Sequence, residues 1–196
     1  RETMPANTVI MWFRQDLRLS DNPALLKAIQ QGRVLPLFIL DEGNDWPLGE
    51  ASRWWLHHSL SALNVSLQGN LWILQGDAAK LLPQFTNHHG ASHVFWNRCY
   101  EPSIIRRDSL IKEQLMAHGV TAFSQNGSLI WEPWENLKKD GTPYKIFTPF
   151  YKYAIANNPP AAPIQSANTN FDTVKCLQDK NRLDSLNLLP EINWHK

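Results

Sequence analysis

Short apolar runs alternate with longer amphipathic stretches along this chain. The apolar runs fall at residues 9–13, 34–40, 71–75, 93–96 and 121–123. Each is compact and bounded by turn or polar residues, as strands buried on both faces should be. Between them, residues 23–31, 50–67, 78–88 and 104–118 carry helical spacing. In the last of these, Ile104, Ile105, Leu110, Ile111, Leu115 and Met116 form an apolar stripe, and Gly119 follows as a stop. A further helix is predicted from Phe147 or Pro149 to Ala156. Serial strand–helix units imply parallel strands, right-handed crossovers and helices on both faces. We therefore expect an α/β fold: a Rossmann-like doubly wound five-stranded parallel sheet of order 3-2-1-4-5.

The first apolar run stops abruptly at three charges spaced by two, Arg14, Asp16 and Arg18, with Leu17 and Leu19 alternating between and after them. Ser20, Asp21 and Asn22 then offer helix N-caps, and Pro23 suits a first helical turn. A buried strand thus ends in a charged loop that feeds a helix. In open α/β sheets, ligands bind just beyond the carboxyl ends of strands, at the switch point of strand order. Asp16 is expected to bond with Arg14, Arg18 or a nearby backbone N–H rather than to act as a base. The Gly-x-Gly-x-x-Gly fingerprint and the Walker A lysine loop are missing, which argues against a nicotinamide dehydrogenase and an ATPase.

With 196 residues and 43% hydrophobic content, the chain is long enough for one α/β domain with a good core. No apolar run reaches the ~20 residues of a membrane span, and residues 1–7 lack the apolar core of a signal peptide. Two cysteines, Cys99 and Cys176, form no metal or redox pattern. A reducing cytoplasm is the expected location. The net charge of +1, with basic residues scattered, is not the footprint of a free-standing nucleic-acid binder. Nine tryptophans are ascribed chiefly to packing at element ends. His57-His58 and His88-His89 are adjacent pairs that cannot share a helical face, so no metal site is expected. No nucleophile–base arrangement is visible, and no catalytic residue is assigned.

Arg1-Glu2-Thr3 before Met4 reads as a tag remnant or upstream fragment, so residues 1–7 are set apart from an α/β domain at 8–156. Prolines at 159, 160 and 163 mark a loop, and residues 164–196 are polar with isolated Leu and Val. Residues 157–196 are expected to be an extended interdomain linker wrapping the domain surface.

Four segments carry a specific likeness. The run Trp12-Phe13-Arg14-Gln15-Asp16-Leu17-Arg18-Leu19-Ser20-Asp21-Asn22-Pro23 resembles the opening of the photolyase/cryptochrome family. Asn97-Arg98-Cys99-Tyr100-Glu101-Pro102, followed by Arg106-Arg107-Asp108, is similar to the exit of that family's fourth strand. Gly127-Ser128-Leu129-Ile130-Trp131-Glu132-Pro133 and Pro143-Tyr144-Lys145-Ile146-Phe147-Thr148-Pro149-Phe150 resemble two later elements, in the same order.

The resemblance implies the N-terminal, antenna-binding domain of a bacterial DNA photolyase. Such an enzyme repairs DNA by reversing cyclobutane pyrimidine dimers, using electron transfer from light-excited, reduced flavin adenine dinucleotide (FAD). By the same resemblance, FAD and most contacts to damaged DNA belong to a C-terminal helical domain in cis, which would lie outside this chain. The fragment itself would be a non-catalytic monomer. An antenna chromophore (folate, flavin or deazaflavin) would sit against Phe13, Arg14 and Gln15 after strand 1, Leu40 and Asp41 after strand 2, and Asn97, Cys99 and Glu101 after strand 4. Arg53 would approach from the following helix. The fragment is expected to lack the chromophore when purified.

Folate-type members place an Asn-Glu pair where this chain has Ser103 and Ile104, and deazaflavin-type members carry an acid at the position of Cys99. The site is therefore expected not to depend on Ser103 or Ile104, and the antenna's identity stays open. The same domain in a cryptochrome light receptor is one alternative. A stand-alone nucleotide-binding α/β protein is another.

Overall fold

The computed structural model describes residues 7–41, 47–164 and 171–190. Of the N-terminal remnant expected at residues 1–7, residues 1–6 lie outside this range, as do residues 191–196. Five parallel strands form one sheet: β1 (Thr8–Phe13), β2 (Arg33–Leu40), β3 (Trp72–Gln75), β4 (His93–Asn97) and β5 (Thr121–Gln125). Their order is β3-β2-β1-β4-β5, as the pattern predicted. The connecting helices are α1 (Pro23–Gln31), α2 (Glu50–Ser66), α3 (Ala78–His88) and α4 (Pro102–Ala117), followed by α5 (Phe147–Asn157) after β5.

β1 is buried on both faces, so its alternation sorts the core. Val9, Met11 and Phe13 point to the α1/α2 face, with Ala24, Leu25, Leu60 and Leu63. Ile10 and Trp12 point to the α3/α4 face, with Leu82, Ile111 and Leu115. Two helices on each face, entered from opposite sides of β1, make the sheet doubly wound. The order reverses at β1, whose neighbours are β2 and β4.

Of the three N-cap candidates the fold uses Asn22, whose side chain accepts from the Leu25 N–H at 3.0 Å, with Pro23 opening the helix. α4 starts two residues before the predicted Ile104 because Pro102 takes its first position. Gly119, at φ +74, closes it as expected. No helix among the described residues is long and apolar enough to cross a membrane.

Residues 171–190 run along the β2/β3 side of the sheet as a strap. Val34 bonds to both Asp172 and Val174 through the main chain. The Gln178 amide spans Ile73, accepting from its N–H at 2.7 Å and donating to its carbonyl at 2.9 Å. The strap then makes two single-turn 3-10 helices, Lys180–Arg182 and Asp184–Leu186. Leu186 and Leu188, each 2% exposed, enter the α1/α2 core beside Leu60 and Leu63.

Candidate functional site

Where β1 ends, the side chains of the three alternating charges reach three different places and do not pair with one another. Arg14 donates to Asp108 of α4 at 2.6 Å and to the Asn97 carbonyl. Arg18 donates to the Gly127 carbonyl at 2.7 Å and the Asp21 carbonyl at 3.0 Å. Asp16 accepts from the Arg14 backbone N–H at 2.9 Å and from the side chains of Asn22 and Asn97. Of the partners expected for Asp16, the backbone N–H is the one used. Asn97 is also held by Asn22 and by the Ala24 N–H, so it fastens the β1 loop, the α1 N-cap and β4 together. A Cβ built on Gly127 would lie 2.4 Å from the Asn97 Cγ, so only glycine lets the loop after β5 close over this fastener.

Above the carboxyl ends of β1 and β2 lies a cleft of about 870 Å³, walled on one side by α2 and on the other by the start of α4. Its apolar surface comes from Leu17, Phe38, Leu40, Leu48, Trp55 and Ile104, among others. Trp55 is 70% exposed there. Among the described residues, four arginines, Arg14, Arg18, Arg53 and Arg107, line it against one carboxylate, Asp41. Arg107 bridges Asp41 at 2.8 Å and Asp108 at 3.0 Å, and the Arg14–Asp108 pair continues the chain of charges. The Arg14 and Arg107 guanidinium carbons stand 4.9 Å and 5.2 Å from the Trp12 ring centroid, within cation–π range. A flat, largely apolar molecule with an anionic tail fits such a wall: rings against the apolar side chains, charge against the arginines. Among the described residues no cluster of three or more His, Cys, Asp or Glu could hold a metal ion.

The residues picked from the sequence divide between this cleft and its surroundings. Arg14, Gln15, Leu40, Asp41, Arg53 and Cys99 line it together. Phe13 does not: β1 parity turns its side chain into the α1/α2 core, where it is fully buried. Asn97 does not either, because its amide is spent on the fastener and is 4% exposed. Glu101 lies in an adjoining smaller hollow with Tyr100, Gly127 and Ser128, near enough to Gln15 for a long 3.4 Å hydrogen bond. Ile104, set aside in the sequence, does line the cleft. The sequence reading missed Trp12, Trp55 and Arg107. Arg107 stood inside a quoted motif, and its spacing from Ile104 puts both on one face of α4. Burial pushes the Cys99 thiol up, with Arg14 partly opposing, so this cysteine stays protonated at neutral pH.

A second anchor lies beyond β4. Arg98 grips Glu132 with two bonds, at 2.6 and 3.0 Å, and the Tyr100 hydroxyl donates to the same carboxylate at 2.6 Å. Burial, then the hydrogen bond to Glu132, raises the Tyr100 phenol from 10.0 to about 12. The folded state therefore keeps this proton to higher pH than the unfolded chain does. The stabilisation that follows is complete below pH 10 and is lost as the pH rises towards 12. In a phenolate absorbance titration, one tyrosine should ionise late, and Tyr100→Phe should remove that step. A titration unchanged by Tyr100→Phe would refute the placement.

Comparison with known proteins agrees with the geometry. The family description "DNA photolyase" matches residues 9–166. The deoxyribodipyrimidine photo-lyase of Agrobacterium fabrum is 39% identical over 193 residues, covering 96% of this chain and 40% of that protein. Cryptochrome-2 of Arabidopsis thaliana is 38% identical over 153 residues, covering 74% of this chain and 25% of that protein. The crystal structure of a bacterial class III photolyase from Agrobacterium tumefaciens superposes with a TM-score of 0.88 at 37% identity, over 98% of this chain and 40% of that one. The chain thus spans well under half the length of these relatives.

Proposed function

The chain belongs to the DNA photolyase family, and we propose that its residues form the antenna-chromophore domain of a deoxyribodipyrimidine photo-lyase. The observation that carries this reading is the cleft over the switch point, apolar on its walls and rich in arginine. In this reading the antenna supplies light absorption and passes its excitation to a reduced FAD held by other residues of the full-length protein. Electron transfer from that FAD reverses cyclobutane pyrimidine dimers in damaged DNA. The residues described here make and break no bond. Trp55, Leu48 and Ile104 offer faces for a ring system, Arg53 and Arg107 offer charge to an anionic tail, and the Arg14–Asp108–Arg107–Asp41 chain keeps the floor rigid. A monomer working in the cytoplasm completes the proposal.

The test is direct binding. A folate, flavin mononucleotide and a deazaflavin are added separately to the 196-residue chain, following tryptophan fluorescence and chromophore absorbance. Saturable binding of one of them, weakened about tenfold or more by Trp55→Ala and unaffected by Glu101→Ala, is the expected result. Binding lost with Glu101→Ala but kept with Trp55→Ala would move the site to the smaller hollow and overturn the assignment.

The likeness to cryptochrome-2 favours a second reading, the same domain in a blue-light receptor. Light-dependent repair of dimer-containing DNA by the full-length protein supports the photo-lyase reading. A full-length, FAD-loaded protein that leaves the dimers intact supports the receptor.

A further inference from the structure

α2 forms one wall of the cleft, yet it holds to the sheet by little. Of its 17 residues only Leu60 and Leu63 are fully buried, and no side chain caps its N-terminus. The strap meets it from below. Leu186 and Leu188 fill the same core as Leu60 and Leu63, and the partly buried Leu56 and Leu183 pack against that core. Between the two buried leucines stands Asn187, at φ 49 and ψ 43, a left-handed conformation unusual for a residue with a side chain. The buried leucines on either side fix this turn. Its outcome is that the Asn187 carbonyl accepts from the Arg53 guanidinium at 2.8 Å, at the rim of the cleft.

We propose that Asn187 is a positioning residue: strap residues 183–188 seat α2, and the Asn187 carbonyl aims Arg53 at the anionic group of whatever flat molecule fills the cleft. This rests on the reading of the cleft as a chromophore site. The chemistry it selects for is a phosphate or carboxylate tail, since a guanidinium already bound to a carbonyl keeps N–H donors for an anion. The side chain of Asn187 is exposed and takes no part. The carbonyl depends only on the backbone staying left-handed. Glycine preserves that conformation, whereas a β-branched residue opposes it.

The experiment compares flavin mononucleotide with riboflavin, which has the same ring without the phosphate. Wild type and Asn187→Gly are expected to prefer the phosphorylated flavin about tenfold, the effect of one charge-assisted contact. Asn187→Val and Arg53→Gln should reduce that preference, read as the ratio of the two affinities within each protein, to about twofold or less. Asn187→Val that keeps the full preference, with Arg53→Gln losing it, overturns the proposal. Modification of Arg53 by an arginine-specific dicarbonyl, followed by peptide mapping, needs no ligand. Asn187→Val should raise its rate at least threefold and Asn187→Gly should not. Equal rates in all three proteins overturn the proposal. If neither flavin binds wild type, the preference arm reads on the chromophore assignment for flavins, and the modification rates alone decide the role of Asn187.

Discussion

Asp108→Ala should lower the melting temperature of this chain by roughly 6–20 °C, the largest effect expected of any single charge change. Asp108 is 8% exposed and accepts from both Arg14 and Arg107. Arg107 retains Asp41 when Asp108 is lost. Arg14 does not fare as well. Its side chain is 7% exposed, and its remaining bond goes to one carbonyl, at Asn97. Removing one partner of a buried ion pair costs about 3–5 kcal/mol, because the surviving charge stays out of water. In a chain of this size each kcal/mol is worth about 2–4 °C. Arg33→Ala provides the contrast: its pair with Asp172 is exposed on both sides, so the loss should be clearly smaller. Thermal unfolding followed by circular dichroism measures both. Equal, small shifts would mean that water reaches Arg14 and that the charged floor of the cleft is solvated.

The second large effect concerns the strap. Ending the chain after Ala162 should abolish cooperative unfolding or leave the protein insoluble. The deletion removes Leu186 and Leu188 from the core that also holds Leu60, Leu63 and Phe38. Truncating a single buried leucine costs about 2–5 kcal/mol, and domains hold only about 5–15 kcal/mol in total. Two such losses, with Phe171 and Leu183 going as well, approach that whole margin. Size-exclusion chromatography and a thermal melt check the result. A soluble shortened chain melting within a few degrees of the full one would show that the strap is an ornament of the fold.

The frame of the molecule was readable because its strands are short, apolar and separated by stretches of helical spacing. Five apolar runs with helices between them leave few topologies, and the handedness of the crossovers then selects one; the edge strand β5 is the exception to burial, with Phe123 41% exposed. The loop after β1 was readable as a place but not as a set of contacts. Arg14, Asp16 and Arg18 looked like partners for one another because the sequence shows neighbours, whereas Asp108, Asn97 and Gly127 are their partners in space. Phe13 illustrates a finer point. Position at a strand end suggested a ligand, and the two-residue period of β1 decided otherwise, since Phe13 shares the parity of Val9 and Met11. The strap was the least legible part. Leu183, Leu186, Leu188 and Leu189 follow one another at spacings of three, two and one, so no single period announces that Leu186 and Leu188 are the buried ones, and single-turn 3-10 helices leave no hydrophobic pattern.

The way Gln178 sits against Ile73 has a meaning for how these molecules behave at high concentration. An outer strand normally offers its free main-chain groups to any extended segment of a neighbour, and sheets can grow across molecules by that route. Here a primary amide, which carries a donor and an acceptor side by side like a peptide group, occupies the N–H and carbonyl of Ile73 at the middle of β3. Arg182 shares the same carbonyl at 3.0 Å. A four-residue strand capped in this manner at Ile73 offers a foreign strand little free main chain, which disfavours intermolecular growth at this border of the sheet without a sixth strand having been added.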